Sequence, residues 1–412
     1  MTEKERQKGK GAPGRSSGET LKSPACDRVA LERRSWFCRL AYACDLFDAM
    51  APAERRRSGL AAGQTRIDIL GKALWVTFAL VVISGVGLLA GYHPTVPGAF
   101  SSVEHIQTSF PAGWWLRGVH KYGCDLFVIL AAIRLLRIAF RRAYKNGGEF
   151  TWISALCLLI FGMVSGLTGY LLVWNERAFW FGRLLGASAQ RFEEAYPLGG
   201  LGLAGWLSRI VVGDEGMSQS TLTGVFAVHI ALSLLVLIVA LRWRLAPRRQ
   251  SPKHRAFMPA IPAGTTWLIL GGLTLLALLI PPPLGGPVDR MIPPHPIISD
   301  WYFLATYQLF RIVSPPSATT FVFIGLAVAV LLPWLDRSRK RGPRPAVLAL
   351  ICATSLTWLI MTIGAAADEQ AGAAVLVMSV AVWLLALAVG IWGELRVNSA
   401  KTRRSKSEVS GT

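Results

Sequence analysis

Two histidines of this chain, His120 and His229, sit where redox or acid–base chemistry could take place inside a membrane. His120 stands near the start of an apolar run, GVHKYGCDLFVILAAIRLLR at 118–137, and His229 lies within another, LTGVFAVHIALSLL at 222–235. Neutral imidazoles on two facing helices can hold an iron from both sides. A buried histidine can equally be a packing residue or a proton site, and the pair alone does not choose. Small residues add a pattern. Gly71 and Gly85 are fourteen apart in one run, and Ala155 and Gly169 are fourteen apart in another. Fourteen residues are close to four helical turns, about 21 Å along one face. A small residue lets a flat group approach the backbone, though such stripes also serve ordinary helix packing. Arg134 follows His120 by the same fourteen residues.

These residues need helices to position them. The chain has 412 residues, 52% of them hydrophobic, and a mean hydropathy of +0.42. Apolar runs near 73–92, 114–134, 152–174, 221–243, 266–283, 318–335, 345–366 and 372–393 approach or reach the length a helix needs to cross a bilayer. Backbone groups in lipid must be satisfied within the segment, so the runs are expected to be helices. The expected fold is an all-α polytopic membrane protein of eight transmembrane helices.

The charge of +20 does not imply nucleic acid, because its placement follows membrane topology. Of the 44 Lys and Arg, 36 fall in the two tails and in the alternate loops 134–150, 242–265 and 336–346. That asymmetry predicts both termini on the cytoplasmic side. Basic loops of this kind face anionic lipid. By the same topology His120, His229, Gly85 and Gly169 share one depth toward the external side.

The cysteines form no CxxC and no zinc spacing. Cys124, Cys157 and Cys352 read as small apolar residues within spans, and Cys26, Cys38 and Cys44 as reduced thiols of the cytoplasmic tail. The polar, basic N-terminus has no cleavable-signal pattern. The expected organisation is a disordered basic tail at 1–26, an interfacial amphipathic region at 27–68, a four-helix bundle at 69–245, a cytoplasmic linker at 246–264, a second half at 265–394 and a basic tail at 395–412. Two long external segments, 175–220 and 281–317, are candidates for function because compact proteins keep few such loops.

Longer motifs carry a resemblance. FSSVEHIQTSFPAGWWLRGVHKYG, FTWISALCLLIFGMVSGLTGYLLVWNERAFW and GMSQSTLTGVFAVH resemble cytochrome b of the quinol-oxidising bc and b–f type complexes. SDWYFLATYQLFRIV is similar to that family's quinol-site loop, usually written PEWY. The resemblance covers roughly 70–366 in the family's order. It implies a heme-binding four-helix bundle followed by a second four-helix half. It implies that His120 and His229 ligate the external-side heme b, with Gly85 and Gly169 beside it and Arg117 at a propionate. In the quinol loop it implies Asp300 as proton acceptor in the family's Glu position, with Trp301 and Tyr302 lining the site. A carboxylate there can take a hydroquinone proton as electrons leave. Without the motif around it, Asp300 would read as a capping residue of a loop. His295 could relay protons, whereas His93, His105 and His254 read as surface residues.

The chain departs from the family at the second heme. The two further ligands are expected fourteen residues after His120 and fourteen or fifteen after His229, and those positions hold Arg134, Trp243 and Arg244. A guanidinium stays protonated and has no lone pair to offer. Ala155 replaces the glycine expected there, and Gly71 alone remains. One bis-His heme b is therefore expected, with the arginines snorkelling to the cytoplasmic face or holding an anionic headgroup. Ile69 stands where b–f type chains attach a covalent heme, and Gly224 replaces a family arginine.

The expected function is a redox subunit of a membrane complex with a quinol site. Its expected partners are quinol, membrane lipid, a Rieske iron–sulfur protein, a c-type cytochrome or another redox subunit, and a second cytochrome b in a dimer, which could be a two-heme chain. A non-catalytic structural or assembly paralogue is the alternative. A transporter using the buried Arg and His is the third reading, and no broken-helix repeat supports it.

Overall fold

The computed structural model describes residues 60–145, 148–196, 217–245, 263–294, 297, 299–336, 345–366 and 372–409. The expected interfacial region up to residue 59, the linker segment 246–262, His254, His295 and the tail cysteines lie outside the described residues. So do the side chains of Ile69, Arg242, Trp243 and Arg244.

All regular structure among the described residues is helical. The helices are α1 Leu60–Leu89, α2 Ala99–Thr108, α3 Gly113–Phe140, α4 Glu149–Leu172, α5 Glu176–Ala195, α6 Gln219–Leu245, α7 Ala263–Leu279, α8 Leu304–Ile312, α9 Pro315–Leu335, α10 Pro345–Ala366 and α11 Gly372–Val409. Among the described residues six are long and apolar enough to cross a membrane: α1, α4, α6, α9, α10 and α11. Six such helices make the chain an integral membrane protein. Two of the eight expected spans differ from these. α3 is long enough but carries Arg117, Lys121, Asp125, Arg134 and Arg137, and α7 has only 17 residues.

In the first half α1 packs along α3, α3 against α4, and α4 against α6. Leu74, Phe78, Phe127, Ala131, Leu158 and Val236 form a core cluster shared by these four helices. The rings of Phe78 and Phe127 lie 5.7 Å apart. Helix α7 lies on α3 and α1, and Trp115 donates to Thr274 of α7 at 2.9 Å. In the second half α10 packs on α11 and α8, and α9 reaches back to α4 and α5.

Local sequence fixes the corners. Ala112 takes a left-handed φ of 56°, and a Cβ on Gly113 would overlap the carbonyl of Ile106, so the α2–α3 corner needs glycine there. Asn175 caps α5, its side chain accepting from the Ala178 amide at 2.8 Å.

The two halves are locked together at the basic-loop end. Arg142, in the α3–α4 connection, donates through Nε to Asp336 at 2.8 Å and pairs with the same carboxylate through Nη2. The pair is enclosed, with side chains 3% and 1% exposed. Tyr144 adds a bond to Asp336 at 3.1 Å, and Lys145 donates to the carbonyls of Pro333, at 2.8 Å, and Asp336. Burial alone would raise the Asp336 carboxyl, but the Arg142 hydrogen bonds and the charges of Lys145 and Arg142 outweigh it and hold it below its ordinary value. Burial pushes the Tyr144 phenol up to about 12, so it stays a donor. Nearby, Pro333 lacks the amide that would serve the Ala329 carbonyl four residues earlier. Trp152 of α4 donates its indole N–H to that carbonyl at 2.8 Å.

Candidate functional site

The histidine pair

α3 and α6 bring His120 and His229 together, with ring centroids 6.4 Å apart and planes at 63°. Each ring is anchored in the same way. His120 Nδ1 lies 2.9 Å from the Val81 carbonyl, and His229 Nδ1 lies 2.9 Å from the Ser165 carbonyl. A carbonyl can only accept, so each Nδ1 carries the proton and each Nε2 keeps its lone pair. Hydroxyls repeat the symmetry, Ser84 at 3.3 Å from His120 Nδ1 and Thr168 at 3.1 Å from His229 Nδ1. Orienting bonds of this kind are what metal-ligating histidines use.

The glycines stand directly behind the rings. A Cβ on Gly85 would come within 2.9 Å of His120 Cε1, and one on Gly169 within 3.1 Å of His229 Cε1. The small residues leave room for the imidazoles.

The geometry fits an axial pair. With metal–nitrogen bonds of about 2.0–2.1 Å and a ring radius of about 1.1 Å, two imidazoles on one ion place their centroids about 6.3 Å apart. Among the described residues no group of three or more His, Cys, Asp or Glu could hold a bare metal ion. The remaining ligands would have to come from the cofactor, as they do in a heme.

The second depth

Fourteen residues along the same helices the chemistry changes. Arg134 is 3% exposed, and Ala155 is 1% exposed. Gly71 faces the arginine: a Cβ added to it would lie 3.4 Å from Arg134 Nη1. Arg134 thus occupies the place opposite Gly71 that His120 occupies opposite Gly85. The expectation that it snorkels outward is corrected: the guanidinium is enclosed by the helices.

The loop carboxylate

Asp300 precedes a single 3₁₀ turn, Trp301–Phe303, that leads into α8. Its carboxylate is held from two sides: Oδ1 accepts from Lys121 of α3 at 2.9 Å, and Oδ2 accepts from the Tyr302 hydroxyl at 3.1 Å. Lys121 also binds Asp125, one turn on, at 3.0 Å, and Trp301 donates its indole N–H to Asp125 at 3.1 Å. Trp301 packs edge-on against Trp358 of α10, with centroids 6.1 Å apart. Tyr302 is buried, and a Cβ on Gly166 of α4 would overlap its hydroxyl. Burial, with the Asp300 carboxylate beside it, raises the Tyr302 phenol, which therefore remains a donor.

Arg117, one turn before His120, donates to Gln107 of α2 and to the Pro282 and Pro283 carbonyls, at 2.7 and 3.0 Å. It pins the segment after α7 onto α3. His93 and His105 lie on the α1–α2 connection and on α2. Sequence reasoning passed over Lys121, Asp125 and Gly166. The signal for the first two was present, since ionisable residues in an otherwise apolar helix are rare.

Comparison with known proteins decides the family. A family model described as cytochrome b/b6/petB matches residues 62–250, and one described as cytochrome b (C-terminal)/b6/petD matches 287–389. The chain belongs to the cytochrome b family. The cytochrome bc complex cytochrome b subunit of Chlorobaculum thiosulfatiphilum is 29% identical over 306 residues, covering 69% of each chain. Cytochrome b of Allochromatium vinosum is 27% identical over 320 residues, covering 67% of this chain and 75% of that one. Cytochrome b6 of Gracilaria tenuistipitata var. liui is 30% identical over 182 residues, 44% of this chain and 81% of that one. A solved chain of a hyperthermophilic respiratory Complex III shares the fold, with a TM-score of 0.66 at 22% identity, over 80% of this chain and 91% of that one.

Proposed function

We propose that this cytochrome b is the membrane subunit of a bc-type quinol-oxidising complex and carries one b heme, held between His120 and His229. In this reading α3 and α7 also cross the membrane, giving eight spans, with both termini cytoplasmic. The observation that carries it is the pair of imidazoles 6.4 Å apart, each with Nδ1 tied to a backbone carbonyl and Nε2 left to ligate. A heme bound there supplies a one-electron acceptor on the external side. Asp300 takes a quinol proton, and Tyr302, a donor beside it, orients the quinol or the carboxylate. A Rieske protein, a c-type cytochrome and a second cytochrome b chain are the partners that the relatives' complexes suggest.

One heme rather than two follows from the second depth. Arg134 offers no lone pair, and it is buried with its guanidinium beside Gly71. The test is a pyridine hemochrome assay on the purified chain, referred to protein by amino-acid analysis. One b heme per chain is expected. Two would overturn the single-heme reading, and none would favour a structural paralogue without turnover.

A further inference from the structure

Lys121 is the one cation within bonding distance of Asp300 among the described residues, and it reaches Asp125 with the same ammonium. The three side chains are partly enclosed, 35%, 17% and 14% exposed for Lys121, Asp125 and Asp300. They join elements 179 residues apart in sequence. Every oxygen of Asp300 is engaged, Oδ1 by Lys121 and Oδ2 by Tyr302. The two engagements differ in strength. Lys121 brings a full counter-charge with its hydrogen bond, whereas Tyr302 brings only a neutral hydroxyl, so Tyr302 is the partner that an incoming hydroxyl displaces first. Asp125 holds the ammonium from behind and is itself held by the Trp301 indole, on the same loop turn as Asp300. The loop is thus fastened to α3 at two adjacent residues through one lysine–aspartate pair.

We propose that Lys121, backed by Asp125, is a positioning residue for quinol oxidation: it fixes Oδ1 of Asp300 and leaves Oδ2 as the oxygen that meets the quinol hydroxyl. This rests on the reading of the Asp300 loop as the quinol site. The step it serves is a proton transfer, in which the quinol O–H bond breaks and the proton passes to Oδ2 as the electrons leave for the heme and the iron–sulfur partner. Without Lys121 Oδ1 loses its bond to α3, and the two oxygens of Asp300 are no longer told apart by their partners.

The experiment uses the assembled complex in native membranes, with a short-chain ubiquinol and a short-chain menaquinol as probes. The initial rate of quinol-driven b-heme reduction is read against quinol concentration, and b-heme content serves as the folding control. Lys121→Met is expected to lower kcat at least tenfold with KM changed less than threefold. Lys121→Arg is expected to recover at least a third of the wild-type rate, and Asp125→Asn to lose three- to fivefold. Asp300→Asn is run beside them. A full rate for Lys121→Met overturns the proposal, as does a Lys121→Arg variant no better than Lys121→Met at equal heme content. If Lys121→Met does not accumulate, a wild-type rate for Asp125→Asn overturns it alone. A wild-type rate for Asp300→Asn sinks the quinol-site reading and the proposal with it. Loss in Asp300→Asn with full activity in Lys121→Met sinks the proposal only.

Discussion

The two depths of the first four helices share one frame and differ in what the frame is asked to hold. At the histidine depth Gly85 and Gly169 back two imidazoles whose Nδ1 atoms bond backbone carbonyls. Fourteen residues away along the same helices, Gly71 stands beside a buried arginine. The helix register is unchanged, so the difference is chemical: one depth presents lone pairs, and the other a permanent cation. The ends also differ in what holds them. The basic-loop end is closed by protein alone, through the Arg142–Asp336 pair and the Trp152 bond to α9. The histidine end holds the two imidazoles through bonds to the Val81 and Ser165 carbonyls.

That contrast can be broken in a definite way. Removing either proposed ligand should abolish the cofactor: His229→Ala or His120→Ala is expected to leave no b heme on the purified chain, read by absorbance and pyridine hemochrome. Retention of half or more would break the comparison. Next in size is the opposite end. Asp336→Asn removes the carboxylate that the buried Arg142 bonds through Nε and Nη2 and should cost about 3–5 kcal/mol of stability, seen as a lower Tm in detergent with heme content of the folded fraction unchanged. The pH dependence follows from the lowered Asp336 carboxyl. Its contribution is present above the ordinary aspartate value of about 3.9 and fades as pH falls through the lower folded value. The variant should therefore lose the steepest part of the acid-side drop in Tm. Equal acid limbs for the two proteins would remove Asp336 from the account.

The smallest effects sharpen the histidine site. Gly85→Ala pushes a methyl to 2.9 Å from a ring already bonded to Val81, whereas Gly169→Ala brings one only to 3.1 Å. Heme occupancy is expected to fall about two- to fivefold for the first, by the logic of overpacking, and less for the second. The reverse order would mean that the glycines serve something other than the rings.

Much of the histidine site was legible because it is written along single helices. Four turns of α-helix fix which residues share a face, so His120, Gly85 and the fourteen-residue interval to Arg134 could be read from spacing. The loop around Asp300 was legible as a motif. What joins separate helices was not. Lys121 lies 179 residues from Asp300, and Arg142 lies 194 from Asp336, and no local pattern couples such pairs. Arg134 was misjudged for the same reason. Its place near a basic loop suggested snorkelling, but whether a long side chain turns outward depends on the neighbouring helices. The eight expected spans were read from hydropathy. Six are plainly apolar, whereas α3 carries five charged residues that dilute its apolar character.

The bond from Trp152 to Ala329 has a bearing on how the chain is made. Helix α9 contains a proline, and so enters the bilayer with one carbonyl that its own backbone cannot serve. In hydrocarbon such a group is costly. Synthesis runs from α4 to α9, so the indole donor is made 177 residues before the carbonyl that needs it. The first half thus carries the donor that the ninth helix lacks in its own backbone.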